Sequence, residues 1–157
     1  MSVQPVPEGY HTLTAYLAVD DAAAAIDFYE RALGAKERVR MAGPGDSVMH
    51  AELEIGDSLL MLSDPFPQAS TKPPKELGGT TASIFVYVEN VDELYKQAVD
   101  AGATSTMEPD DMFWGDRFAS VQDPFGHSWT IATHVEDVPP EEMEKRSEAF
   151  MSQMATT

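Results

Sequence analysis

Residues 45–64, GDSVMHAELEIGDSLLMLSD, recur in outline at residues 115–134, GDRFASVQDPFGHSWTIATH. Gly45-Asp46, Gly56, Ser58 and Asp64 of the first stretch match Gly115-Asp116, Gly126, Ser128 and His134 of the second, with no gap between them. The echo extends upstream. Leu17-Ala18-Val19-Asp20 and a helical stretch ending at Gly34 parallel Val86-Tyr87-Val88-Glu89 and a helical stretch ending at Gly102. Such self-similarity is the signature of a supersecondary unit used twice. Two copies inside one small domain predict a two-fold structure with a cleft where the halves meet, and function is expected in that cleft.

Within the first unit, Thr12 to Val19 reads as a strand, since Leu13, Ala15, Leu17 and Val19 alternate with Thr14, Tyr16 and Ala18. Asp20 and Asp21 are N-cap residues for a helix whose Ala22, Ile26, Tyr29 and Leu33 share one face, and Gly34 suits its left-handed end. Short strands near Lys36 to Met41, Ser47 to Glu54 and Ser58 to Leu62 complete a βαβββ module over about residues 10–64. A proline-rich connection at 65–79 leads to the second module, about 80–134, with a strand at Ala82 to Val88 and a helix near Val91 to Ala101. Its later strands lie near Thr104 to Met107, Arg117 to Gln122 and Ser128 to Thr133. The tail, 135–157, holds a further helix after Pro139-Pro140, where Met143, Ser147, Phe150, Met151 and Met154 form a stripe that must dock on the body or on a second subunit. The fold class is α+β: paired βαβββ modules forming a two-fold curved mixed sheet with a cleft, plus a C-terminal helix, in a single domain.

Composition excludes several function classes. There is no cysteine, which removes disulfides, zinc–thiolate sites and thiol catalysis. No apolar run approaches the roughly 20 residues that span a bilayer, and Met1 to Gly9 lacks the features of a signal peptide, so a cytoplasmic protein is expected. Ten basic against twenty-seven acidic residues give a formal net charge of −17. That field repels nucleic acid and anionic membranes and attracts cations, although solubility alone explains such a charge.

The paired modules, together with Phe113-Trp114-Gly115-Asp116-Arg117, Asp123-Pro124-Phe125-Gly126-His127-Ser128-Trp129 and the run Ala132 to Val138, resemble the vicinal oxygen chelate superfamily. This is the glyoxalase, bleomycin resistance and dioxygenase fold, and the likeness is greatest to its PhnB-like branch. The resemblance spans Gly9 to Arg146. It implies a divalent metal held by His, Glu or Gln at four cleft-facing strand positions, two per module, with open sites for substrate. Counting back from Val19 and Val88, and forward from the turn glycines Gly56 and Gly126, those positions hold Thr14, Leu60, Ser83 and Thr130. A one-residue slip in the first module would substitute Ala15 or Met61. None of these side chains suits a transition metal, so no metal cofactor is expected unless through a relocated site.

Other residues offer chemistry. His50 and Glu52 share one side of a strand and make a candidate acid/base or metal pair, although an i, i+2 pair of this kind also arises by chance on a solvated strand. Phe113, Trp114 and Arg117 are candidates for a ligand mouth, or for a structural corner in which Asp116 pairs with Arg117. Under the family geometry Tyr16, Phe85 and Tyr87 face the cleft and give it an aromatic character. His134 stands at a strand end, where it is expected to meet the tail. The leading functional expectation is a homodimeric binder of a cationic or aromatic small molecule, of the bleomycin-resistance, sequestering type. The alternatives are a lyase, isomerase or dioxygenase working through His50 and Glu52, and a dimeric interaction module.

Overall fold

A computed structural model describes residues 3–155. The first module comprises β1 (Ala15–Ala18), α1 (Ala22–Leu33), β2 (Lys36–Ala42), β3 (Val48–Ile55) and β4 (Ser58–Ser63). After a one-turn helix, α2 (Pro74–Leu77), the second comprises β5 (Ser83–Tyr87), α3 (Val91–Ala101), β6 (Thr104–Asp111), β7 (Asp116–Gln122) and β8 (Ser128–His134), and α4 (Pro140–Met154) closes the chain. Each module forms one four-stranded mixed sheet, ordered β1-β4-β3-β2 and β5-β8-β7-β6. In both, the first strand runs parallel to the last, and the other pairings are antiparallel. Among the described residues no helix is long and apolar enough to cross a membrane.

Local sequence explains the elements. Asp21 caps α1 by accepting the Ala24 amide, and Gly34 ends it in the left-handed conformation at φ 66°. Ala22, Ile26, Tyr29 and Leu33 are all buried, as their spacing predicts. Asn90 caps α3 through the Glu93 amide. β1 is shorter than its alternation suggests, because pairing to β4 begins only at Ala15. β6 is longer and runs through Pro109, which is tolerated because it falls at a register irregularity between Met107 and Asp110 of an edge strand.

Among the described residues the two sheets share no hydrogen-bonded strand within the chain. The modules meet instead through α1 against α3, where Gln97 donates to the Arg31 carbonyl at 2.9 Å. Below the helices lies a buried polar knot. The Asp123 carboxylate accepts Tyr29 Oη at 2.6 Å and Trp129 Nε1 at 2.9 Å, while its other oxygen accepts the amides of Phe125 and His127. Tyr29 belongs to the first module and the other four residues to the second. Burial, followed by the Asp123 charge, pushes the Tyr29 hydroxyl well above the usual phenol range, so it remains a donor. Asp64 has a comparable local role, binding the amides of Ala22 and Val48 at 2.9 and 2.6 Å.

The tail is anchored at one corner. Phe150 of α4 stacks on Phe113 with ring centroids 5.2 Å apart. Arg146 bridges Glu136 and Glu142 and reaches the Phe113 carbonyl. Gly115 lets the tail pass, since a Cβ there would lie 2.1 Å from the Glu136 carbonyl oxygen. Met151 and Met154 remain exposed, so only part of the apolar stripe is covered.

Removing the Asp123 carboxylate strands two buried donors and frees the β7–β8 turn. Asp123→Ala is expected to destabilise the fold by about 3 kcal/mol or more and Tyr29→Phe by about 1–2 kcal/mol. Urea unfolding followed by tryptophan emission measures both.

Candidate functional site

Helices cover one face of each sheet and leave the other open. On the first sheet Leu17, Ala51, Leu53, Leu60 and Leu62 belong to the core. Strand alternation then gives the open face Tyr16, His50, Glu52 and Met61. On the second sheet Ala119, Val121, Trp129 and Ile131 are core residues, leaving Phe85, Tyr87, Asp116, Phe118, Ser120 and Thr130 on the open face.

This geometry corrects one expected cleft position. Leu60 is only 4% exposed and is paired with Leu53 in the core. Tyr16 corresponds to Phe85. Tyr16 lies beside Met61 as Phe85 lies beside Thr130, so the residue matching Thr130 is Met61. Counting from Gly56 fails because the alternation of β4 runs one residue later than that of β8, and a one-residue shift reverses which face a side chain meets. Thr14 stands half-buried just before β1, Ser83 is exposed at the start of β5, and Thr130 is buried 3.4 Å from the Ser120 hydroxyl.

His50 and Glu52 lie in contact and belong to a longer chain of hydrogen bonds. His50 Nε2 lies 3.1 Å from Glu52 Oε1, and Tyr16 Oη lies 3.2 Å from His50 Nδ1. Tyr10 also hydrogen-bonds Glu52. That bond, offset in part by burial and reinforced by His50 and the nearby Arg38, holds the Glu52 carboxyl below the usual range. Glu52 is therefore an anion that can only accept, so His50 donates from Nε2, and in a neutral imidazole Nδ1 is then the acceptor for the Tyr16 hydroxyl. Burial and the Glu52 partnership push the Tyr10 hydroxyl up to about 12. Sequence reading missed Tyr10, which precedes any strand and carries no motif.

The second module's open face is organised around buried Asp116. It accepts Tyr87 Oη at 2.9 Å, Trp114 Nε1 at 3.2 Å and His134 Nδ1 at 2.8 Å. Burial alone would raise its carboxyl, but these three donors, led by His134, hold it below the usual range. His134 Nε2 also lies 3.0 Å from Asp137 of the tail. Phe85 and Tyr87 pack with centroids 5.0 Å apart, and Trp114 meets Phe118 edge-on at 5.6 Å.

Two proposed mouth residues lie elsewhere. Arg117 points to the helix side, where it binds Asp92 at 2.7 Å and Asp111 at 3.1 Å. Next to Asp116 on a strand, it must face the opposite way, so the two do not pair. Phe113 packs against Phe150 of the tail rather than lining a free surface.

A groove of about 920 Å³ at the junction of the modules is a different feature. Leu13, Ala15, Ile84, Val86, Leu94 and Trp129 line it on the helix side, and the edges of Phe85 and Tyr87 border it. It is mainly apolar, and the polar chains described above lie on the opposite faces.

The sequence matches the family described as the glyoxalase/bleomycin resistance protein/dioxygenase superfamily over residues 10–131. An uncharacterised protein of Mycobacterium bovis is 42% identical over 135 residues, covering 84% of this chain and 89% of its own. The crystal structure of TioX from Micromonospora sp. ML1 is similar with a TM-score of 0.65 and 28% identity, covering 80% of this chain and 99% of TioX. A glyoxalase/bleomycin resistance protein/dioxygenase from Nocardioides, at 22% identity and a TM-score of 0.61, shares the fold over 89% of this chain and 90% of its own.

The donor set does not fit the metal that this fold implies. Thr14, Met61, Ser83 and Thr130 offer three neutral hydroxyls and a thioether, and no carboxylate or imidazole. Among the described residues no three His, Cys, Asp or Glu side chains gather to hold an ion elsewhere.

Asp137 first and Asp116 second raise His134 above the ordinary histidine range. A raised folded value means that its contribution is complete below that range and is lost as pH rises through the folded value. An NMR titration should place His134 above about 6.5, and Asp137→Asn should lower it. The stability gap between wild type and His134→Gln should shrink as pH rises through that midpoint.

Proposed function

Because the chain belongs to the glyoxalase/bleomycin resistance protein/dioxygenase superfamily, we propose that it is a small-molecule-binding protein that holds its ligand on the open sheet faces without the family's metal. One observation carries this reading. The faces that would hold the metal combine ligand-poor positions with the aromatic groups Tyr16, Phe85, Tyr87, Trp114 and Phe118. Aromatic walls with a few fixed polar groups bind organic ligands and set their orientation. The formal charge of −17 and the anionic Asp116 and Glu52 favour cationic or neutral ligands over anions. Sequestration of the bleomycin-resistance type is the activity that such a site performs with no chemical step.

A second copy of the chain completes this site. β1 and β5 each have one unpaired edge, and both border the apolar groove. Exposed edges of this kind invite another strand. Since the modules repeat, one two-fold contact can lay β1 of each copy beside β5 of the other and close both grooves at once. The Tyr16 face of one copy then adjoins the Phe85 face of its partner.

Light scattering should give a mass of two chains, and proflavine, a cationic aromatic dye, should bind saturably and be recovered unchanged. Phe85→Ala should weaken binding about tenfold, the scale of one lost aromatic contact. A monomer, or the same affinity in Phe85→Ala, would count against this reading.

A further inference from the structure

We infer that Tyr16, His50 and Glu52 form a metal-free acid/base relay that exchanges the α-hydrogen of a neutral aryl ketone bound on the open face. The inference rests on the reading that this face holds a ligand, and adds a chemical step to it. Three observations support it. Tyr16 Oη lies 3.2 Å from His50 Nδ1 and His50 Nε2 lies 3.1 Å from Glu52 Oε1, so a neutral imidazole that donates to the Glu52 anion accepts the Tyr16 hydroxyl proton at its other nitrogen. That is the order of a reacting hydroxyl, its base and an anion that orients the base. The outer end is open, since Tyr16 is 46% exposed and nothing else bonds its oxygen among the described hydrogen bonds. The inner end is pinned, since Tyr10 bonds Glu52 and Arg38 lies close by.

The surroundings select the substrate. Met61 lies beside Tyr16, Met41 opposite His50 and Val39 opposite Glu52, so the rim of the relay is apolar. Carboxylates and phosphates are disfavoured by Glu52 and by the net charge. A flat neutral ketone suits the methionine rim and the aromatic face of the second module. Its carbonyl acidifies the adjacent C–H bond enough for general-base chemistry.

The step balances within the relay. Tyr16 gives its proton to His50 Nδ1 as its oxygen takes the α-hydrogen of the ketone as a proton. The C–H electron pair stays on the substrate as the enolate. The imidazolium so formed is neutralised by Glu52 through Nε2–H. Reversal returns a proton to carbon from a relay that has exchanged with solvent, so the net result in heavy water is replacement of hydrogen by deuterium, or inversion at a stereogenic carbon. Tyr16 and His50 are catalytic residues in this scheme. Glu52 and Tyr10 are positioning residues.

The test is proton NMR of 2-hydroxyacetophenone in heavy water with the full chain, together with binding of the same ketone followed by tryptophan emission. Wild type should speed α-deuteration by about 10²- to 10⁴-fold over buffer, the usual range for general-base catalysis. Tyr16→Phe, which removes one oxygen atom, and His50→Ala should both fall to within a few-fold of buffer while circular dichroism stays native. Glu52→Gln should lose tenfold or more in rate with unchanged affinity for the ketone, a split that a purely structural role does not produce. His11→Ala, a surface histidine outside the relay, should match wild type. Ketone binding with no acceleration, or acceleration that survives Tyr16→Phe, overturns the relay and leaves the binding reading intact. Absence of ketone binding overturns the relay, and absence of both ketone and proflavine binding overturns the binding reading as well.

Discussion

The Asp123 carboxylate, buried between the two modules, is the constraint on which the rest of the molecule depends. It is polar and buried, so it must be satisfied by donors, and it finds them in the Tyr29 hydroxyl, the Trp129 indole and two amides of its own turn. Tyr29 sits on α1, so this knot commits the first module to approach the second through its helix. Once α1 and α3 are packed together, each sheet must turn its other face outward. The open faces and the unpaired edges of β1 and β5 follow from that one commitment.

The repeat is geometric and its chemistry has diverged. Tyr16 and Phe85 are equivalent by register, yet one heads a chain of hydrogen bonds and the other packs against Tyr87. In the first module the anion at the inner end is Glu52, partly buried on β3. In the second it is Asp116, buried at the start of β7 and gripped by three donors. The first face carries a hydrogen-bonded Tyr16–His50–Glu52 chain and the second presents aromatic surface. A cleft that joins them has two unlike walls.

The tail ties the second wall to the C-terminal helix. His134 ends β8 with one nitrogen on Asp116 and the other near Asp137, while Gly115 accepts two tail amides at its carbonyl. A side chain at position 115 would collide with the Glu136 carbonyl, so the glycine of the repeat frame serves here to let the tail cross. The electrostatics of the aromatic face and the anchoring of α4 therefore share one carboxylate.

Local periodicity makes much of this legible in the sequence. The helix faces of α1 and α3, the caps Asp21 and Gly34, the βαβββ order and the pairing of His50 with Glu52 are consequences of spacings within a few residues, which sequence alone determines. What failed did so at longer range. Leu60 and Met61 differ only in which way a strand is turned, and that was decided by the register of β4 against β1 and β3. Arg117 was assigned to the mouth by its neighbours in sequence, whereas the Asp92 carboxylate that holds it belongs to another element. Tyr10 on Glu52, Tyr87 on Asp116 and Tyr29 on Asp123 all join residues far apart in the chain. Sequence determined the elements and their faces because these depend on local backbone geometry. Only the tertiary structure decided which polar groups meet, because a buried donor is satisfied by whichever acceptor the packing brings within reach.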